Sequence, residues 1–160
     1  MDLATGSGEE GFKIALAKAR QWCASEERCP LDIKLKLIKL ECSPSDINRI
    51  LEQILQEGFT NEQRYANAYA SGKFRISKWG KIKIASGLRM KKIPERFITI
   101  ALNGIDPQDY RECLKILLKK KQKELKNITS PQIKNKLVRF ALQKGYESEL
   151  IFSLLRMSEE

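Results

Sequence analysis

An apolar pattern that recurs three times along the chain restricts the fold more than any other feature of this sequence. Each copy has an anchor residue, with apolar residues nine and five positions before it and five and nine positions after it. The three copies are Ile33, Leu37, Cys42, Ile47 and Leu51; Ile84, Leu88, Ile93, Ile98 and Leu102; and Leu137, Ala141, Tyr146, Ile151 and Leu155. The anchors, which are the middle residue of each copy, lie 51 and 53 residues apart. Such a period is typical of stacked supersecondary units that share a core.

Two segments of the repeat can be interpreted either as strands or as helices. Ile33–Leu37 and Lys81–Ile84 alternate apolar and basic residues, as half-buried strands do. The equivalent segment of the third copy, Gln132–Lys144, lacks this alternation and has helical spacing. Because the copies of a repeat share one structure, we predict helices at all three places.

The sequence therefore predicts an all-α fold of three tandem three-helix units in an elongated, curved row. The units are expected at residues 12–58, 59–104 and 105–160. The predicted helices are Phe12–Ser25, Leu31–Leu40, Ser45–Glu57, Asn61–Ser71, Gly80–Met90, Pro94–Leu102, Pro107–Lys126, Pro131–Lys144 and Glu147–Met157. Residues 1–11 are Gly-rich and acidic, and we expect them to be disordered. Their formal GxGxxG match is not interpreted as a nucleotide site, because no strand precedes it.

Several classes of protein are disfavoured by composition. No apolar run approaches the roughly 18–20 residues of a membrane span, and Glu9 and Glu10 lie where a signal peptide would be apolar. The sequence has no histidine, the commonest general base and metal ligand, and its four cysteines lack CxxC spacing. We therefore expect a cytoplasmic, monomeric protein with buried reduced thiols. We expect no catalytic residues, no metal and no cofactor.

Positive charge is concentrated in the middle of the chain. The net charge is +10, and residues 73–92 contain eight cations and no acidic residue. The candidate contact residues for a large anionic partner are Lys73, Arg75, Lys78, Lys81, Lys83, Arg89 and Lys91. Such a concentration attracts polyanions and contacts phosphates. The alternative is that these side chains only solvate an exposed helix face. A second basic run, Lys119–Lys123, is also explained by the dipole of a helix C-terminus.

Two aromatic residues lie among these cations. Phe74 and Trp79 could stack on exposed bases, but packing beneath the loop is the interpretation that we favour for Trp79. The spacing of Phe59, Tyr65 and Tyr69 predicts core positions.

Residues 57–93 resemble the signature stretch of the RecX family. The matching residues are Glu57-Gly58-Phe59, Arg64-Tyr65-Ala66, Ala68-Tyr69, Lys78-Trp79-Gly80, Ile82, Ile84, Leu88-Arg89 and Lys92-Ile93. Lys92 occupies a turn position at which the family more often has glycine. Separately from the resemblance, we expect Arg64 to support the turn through an ion pair.

The resemblance implies a non-enzymatic protein that binds in the helical groove of the RecA–DNA filament and blocks ATP-driven filament growth and strand exchange. It implies that the basic central unit forms the contact surface, with RecA, DNA phosphate or both as its partner. The alternative is a helical repeat protein that binds DNA independently of RecA. Both hypotheses require the same cations, so the sequence does not separate them.

Overall fold

The computed structural model describes residues 8–126 and 128–157, and within these ranges the chain forms nine α-helices and no strand. The helices are α1 (Glu9–Ser25), α2 (Pro30–Lys39), α3 (Pro44–Gln56), α4 (Glu62–Arg75), α5 (Lys81–Met90), α6 (Glu95–Asn103), α7 (Pro107–Glu124), α8 (Ser130–Lys144) and α9 (Ser148–Met157). The predicted all-α fold is confirmed. The alternating segments at 33–37 and 81–84 lie inside α2 and α5, so the repeat was a better guide than the local alternation.

Two predicted boundaries differ from the structure by three or more residues. Helix α1 begins at Glu9, so residues 9–11 are helical rather than disordered. The carboxylates of Glu9 and Glu10 lie in the first turn, where they interact favourably with the positive end of the helix dipole. Gly8 is the N-cap of this helix, and the other residues of the predicted disordered segment, 1–7, lie outside the described residues. Helix α4 continues past Ser71 to Arg75, because Gly72 is accommodated inside it. Lys73 and Arg75 therefore lie on the last turn of a helix and not in a loop.

The three anchor residues make the same hydrogen bond. The amides of Cys42, Ile93 and Tyr146 donate to the carbonyls of the residues five positions earlier, Leu37, Leu88 and Ala141, at 3.1–3.2 Å. The residue before each anchor has positive φ: Glu41 at 58°, Lys92 at 61° and Gly145 at 94°. Each second helix of a unit thus ends in a Schellman turn, which also places the anchor side chain toward the core. The recurring sequence pattern therefore corresponds to the same helix-ending turn in each unit.

Buried side chains form two clusters. Helices α1–α3 (the first unit) enclose one cluster, which includes Ile33, Leu37, Ile50 and Ile54. Helices α4–α6 (the second unit) and α7–α9 (the third unit) share the other, which Cys29 at the start of α2 also joins. The second and third units therefore pack as one body, whereas the first keeps a core of its own.

The first unit is joined to the second by ion pairs as well as by Cys29. Asp32 pairs with Lys91 at 2.7 Å, and Glu27 pairs with Arg64. Arg64 also donates to the carbonyls of Gly58 and Phe59 at 3.2 and 3.3 Å. It therefore supports the turn through hydrogen bonds, whereas its ion pair, the predicted means of support, joins it to Glu27.

Other expectations about the core are partly confirmed. Tyr65 is buried, and Phe59 and Tyr69 are half-buried against the two clusters. Of the four cysteines, none of which is disulfide-bonded, only Cys29 is fully buried. None of the helices in the described ranges is long and apolar enough to span a bilayer.

Candidate functional site

The end of α4, the start of α5 and the turn between them gather five of the seven predicted contact residues. Lys73 and Arg75 lie on the last turn of α4, and Lys78 lies in the connecting turn with φ of 58°. Lys81 and Lys83 lie on the first turn of α5. Arg89 lies on the last turn of α5, and Lys91 directly follows that helix, where it contacts Asp32 of the first unit. The structure thus divides the predicted set into two groups.

The first group surrounds two aromatic rings. The Nζ atoms of Lys73 and Lys83 lie 4.6 and 4.5 Å from the centroid of the Trp79 ring, and Lys81 Nζ lies 5.0 Å from that of Tyr110. These distances are typical of cation–π contacts, which orient an ammonium group without neutralising it. Trp79 is half-buried and packs against the shared core, as its position before Gly80 predicted. We call Lys73, Arg75, Lys78, Lys81 and Lys83, with Trp79, the basic-aromatic face.

The second group has carboxylate partners. Arg89 pairs with Glu95, with a second contact of 3.2 Å between Nη2 and Oε2, and this hydrogen bonding raises the pKa of Arg89. Lys91 pairs with Asp32, whose hydrogen bond raises the pKa of Lys91. Within residues 8–126 and 128–157, none of the five cations of the basic-aromatic face forms an ion pair. Their charge therefore remains available to an external anion.

The first amides of α5 are already used. Gly80 N donates to the Lys144 carbonyl at 2.7 Å, Lys81 N to the Tyr110 hydroxyl at 2.9 Å, and Ile82 N to the Gly145 carbonyl at 3.0 Å. A free helix N-terminus commonly binds phosphate through these groups. Here they attach the second unit to the third. An anion at this face would therefore be held by lysine and arginine side chains.

Tyrosines of the third unit position the face, a role that the sequence did not reveal. The Tyr110 hydroxyl accepts from Lys81 N and donates to the carboxylate of Glu147 at 3.0 Å. The Tyr146 hydroxyl donates to the Lys78 carbonyl at 3.0 Å. The two rings lie 5.0 Å apart, and burial raises the pKa of both hydroxyls, which keeps them protonated as donors. Periodicity marked Tyr146 only as apolar; its hydroxyl partner was not detectable in sequence.

The fold and this surface define an all-α helical repeat protein whose middle unit presents a cationic face. Two RecX family models match the chain: the second three-helix domain at residues 61–102 and the third at residues 108–155. The chain belongs to the RecX family.

Curated relatives agree with this assignment. The chain is 30% identical over 152 residues to the regulatory protein RecX of Clostridium acetobutylicum, a match that covers 92% of this chain and 70% of the relative. It is 25% identical over 142 residues to the regulatory protein RecX of Bacillus mycoides, covering 89% of this chain and 53% of that one. The chain thus spans about half the length of the Bacillus relative. These homologues are named as regulatory proteins, not as enzymes.

Solved structures share the fold. The crystal structure of RecX from Lactobacillus salivarius superposes with a TM-score of 0.82 at 19% identity, over 91% of this chain and 95% of that one. A second crystal structure of a regulatory protein RecX gives the same TM-score at 22% identity, over 92% of this chain and 74% of that one.

Proposed function

We propose that this protein binds in the groove of the RecA–single-stranded DNA filament and inhibits its ATPase and strand-exchange activities. The observation that carries the proposal is the basic-aromatic face, in which five cations without carboxylate partners flank one turn. Membership of the RecX family supports RecA as the partner, and the relatives' name supports regulation rather than catalysis. The protein would act as a cytoplasmic monomer, with unit boundaries near residues 58 and 104.

The mechanism follows from the packing of the units. The second and third units share a core, and backbone hydrogen bonds join the start of α5 to the end of α8. The two units would therefore enter a groove as one body. Cations on that body would contact acidic groups of the filament or DNA phosphates, bridging neighbouring RecA subunits. Subunits held in this way would be fixed in a geometry unsuited to nucleotide turnover or to growth of the filament end.

A matched pair of triple variants tests the proposal. Lys78→Glu, Lys81→Glu and Lys83→Glu together reverse the charge of the basic-aromatic face. Lys13→Glu, Lys34→Glu and Lys39→Glu make the same change in charge at exposed positions of the first unit. We expect the first variant to lose inhibition of the RecA DNA-dependent ATPase and of strand exchange. The control should retain both, and both variants should keep helical circular dichroism.

Naked-DNA binding at matched salt separates the two hypotheses. One outcome is that the wild-type protein binds single-stranded DNA tightly without RecA and inhibits RecA only by occupying its DNA. The protein would then be a RecA-independent DNA-binding protein. If binding requires the filament and falls steeply with salt, the filament groove is the site. Inhibition that survives the Lys78, Lys81 and Lys83 changes would show that the assigned face is wrong.

A further inference from the structure

A crevice of about 300 Å³ lies between α7 and α9 of the third unit, away from the residues of the basic-aromatic face. Its floor consists of leucines that are each less than a tenth exposed. They are Leu118 on α7, Leu137 on α8, and Leu154 and Leu155 on α9. This volume is at the lower end of the range for ligand pockets, so it suits one large apolar group.

The packing around the crevice differs from that in the second unit. In the second unit, the equivalent helices α4 and α6 pack closely, and small buried residues lie on both: Ala66 and Ala70 on α4 and Ala101 on α6. In the third unit, the buried residues of α7 and α9 are large, among them Leu114, Leu118, Ile151 and Leu154. Because side-chain size sets the distance between helix axes, α7 and α9 lie further apart. The two units share a core pattern, but the crevice with a leucine floor belongs to the third. The cavity beside α4 and α6 has a different lining, which includes Asn67, Ser71 and Asp109.

One wall of the crevice is cationic. Arg111, Lys115 and Lys119 are spaced four residues apart on α7, so they lie on one face. Arg111 crosses one end, where it donates to Ser153 Oγ at 3.3 Å and approaches Met157 Sδ at 3.0 Å. Lys115 and Lys119 are exposed. Among the described residues that line the crevice, Glu112 is the one carboxylate, and Gln122 is neutral.

We propose that this crevice is a docking site for an acidic segment of a partner protein, with one large apolar side chain on the leucine floor and flanking carboxylates against Lys115 and Lys119. Charge complementarity and the apolar floor together select this occupant. A nucleic acid would satisfy the cations but has no aliphatic or aromatic side chain for the floor. The surface is independent of the basic-aromatic face, so this inference goes beyond the proposed function.

The experiment uses the full chain and a defined probe. The probe is a fluorescein-labelled synthetic peptide with one Phe flanked by Asp and Glu, and its binding is followed by fluorescence anisotropy. The test variant is Lys115→Glu with Lys119→Glu. The matched control is Lys120→Glu with Lys123→Glu, which makes the same change in charge on exposed positions of the same helix that do not line the crevice.

We expect saturable binding to wild type, with affinity at least about tenfold lower in the Lys115 and Lys119 variant and nearly unchanged in the control; tenfold corresponds to about 1.4 kcal/mol. A peptide with Ala in place of Phe should also bind about tenfold more weakly. Equal losses in both protein variants, or equal affinity of the Phe and Ala peptides, would overturn the proposal, because charge alone would then explain binding. Sedimentation that shows self-association lost only in the Lys115 and Lys119 variant would also overturn it, since a second copy of this chain would be the occupant.

Discussion

The backbones of Gly80 and Gly145 are in direct contact. Gly80 N donates to the carbonyl of Lys144, and a Cβ atom built on Gly80 would lie 2.3 Å from the carbonyl carbon and oxygen of Gly145. A Cβ atom on Gly145 would lie 2.3 Å from Lys83 Cβ. Two glycines 65 positions apart in the sequence thus allow the start of α5 to lie on the end of α8. This contact orients the basic-aromatic face relative to the third unit.

Substitution of Gly80 by Ala is expected to destabilise the protein by about 1–3 kcal/mol. The added Cβ atom would clash with the backbone carbonyl of Gly145, which cannot move aside as a side chain can. Gly72→Ala is the control. Gly72 lies inside α4, and a Cβ atom added there would meet no heavy atom within 4 Å, so alanine should stabilise the protein by up to about 1 kcal/mol. Urea denaturation measures both. Equal shifts in the two variants would show that the contact between Gly80 and Gly145 is not tight.

Substitution of Lys92 by Gly should stabilise the protein by roughly 0.5–1 kcal/mol. Lys92 has φ of 61°, in the left-handed region that costs a side-chain-bearing residue about 1–2 kcal/mol, and part of the gain is offset by the entropy of glycine. The equivalent change Glu41→Gly should act in the same direction, since the third copy already has Gly145 there. Lys13→Gly, inside α1, should instead destabilise by about 1 kcal/mol. If thermal denaturation shows that Lys92→Gly lowers the melting temperature as Lys13→Gly does, this explanation is wrong.

The ion pair between Asp32 and Lys91 should make stability depend on pH. Burial alone would raise the pKa of Asp32, but hydrogen bonds from Lys91 and Cys29 outweigh it, so the pKa lies below its ordinary value. A carboxyl group with a lowered folded-state pKa stabilises the protein above its unfolded pKa of about 3.9, and this contribution is lost as the pH falls through the folded-state pKa.

The melting temperature of an Asp32→Asn variant should therefore lie below that of the wild type at neutral pH and converge with it in acid. In a Lys91→Met background, the pH-dependent effect of the Asp32→Asn substitution should be much smaller. If it is not, Lys91 is not the source of the lowered pKa.

Substitution of Glu95 by Gln should release Arg89 as an additional free cation. The pair is exposed, so the expected gain in affinity for single-stranded DNA or for the filament is at most about fivefold. Glu52→Gln makes the same change in charge at an exposed position of the first unit. Anisotropy titrations at low and moderate salt would compare the two. Equal gains would indicate that only net charge matters and that the position of Arg89 does not.

The sequence located the cationic region of the chain correctly, but it did not show which cations in that region lack carboxylate partners. The acid-free stretch from Lys73 to Lys92 identified the cationic middle, but it did not separate Lys91, which pairs with Asp32 from 59 positions away, from Lys83, which lies over Trp79. No local pattern contains the pairing of Lys91, because Asp32 lies on a helix of another unit.

The sequence by itself determined which segments are helical and, except at the start of α1 and the end of α4, where they begin and end to within about two residues. Apolar periodicity and capping residues act over one or two turns, so three aligned copies were enough to choose helix over strand at Ile33–Leu37 and Lys81–Ile84. Only the tertiary structure decided the contact of Gly80 with Gly145, the ion pair of Lys91 with Asp32, and the crevice between α7 and α9. These features depend on distances between separate helices, and packing of whole side chains sets those distances.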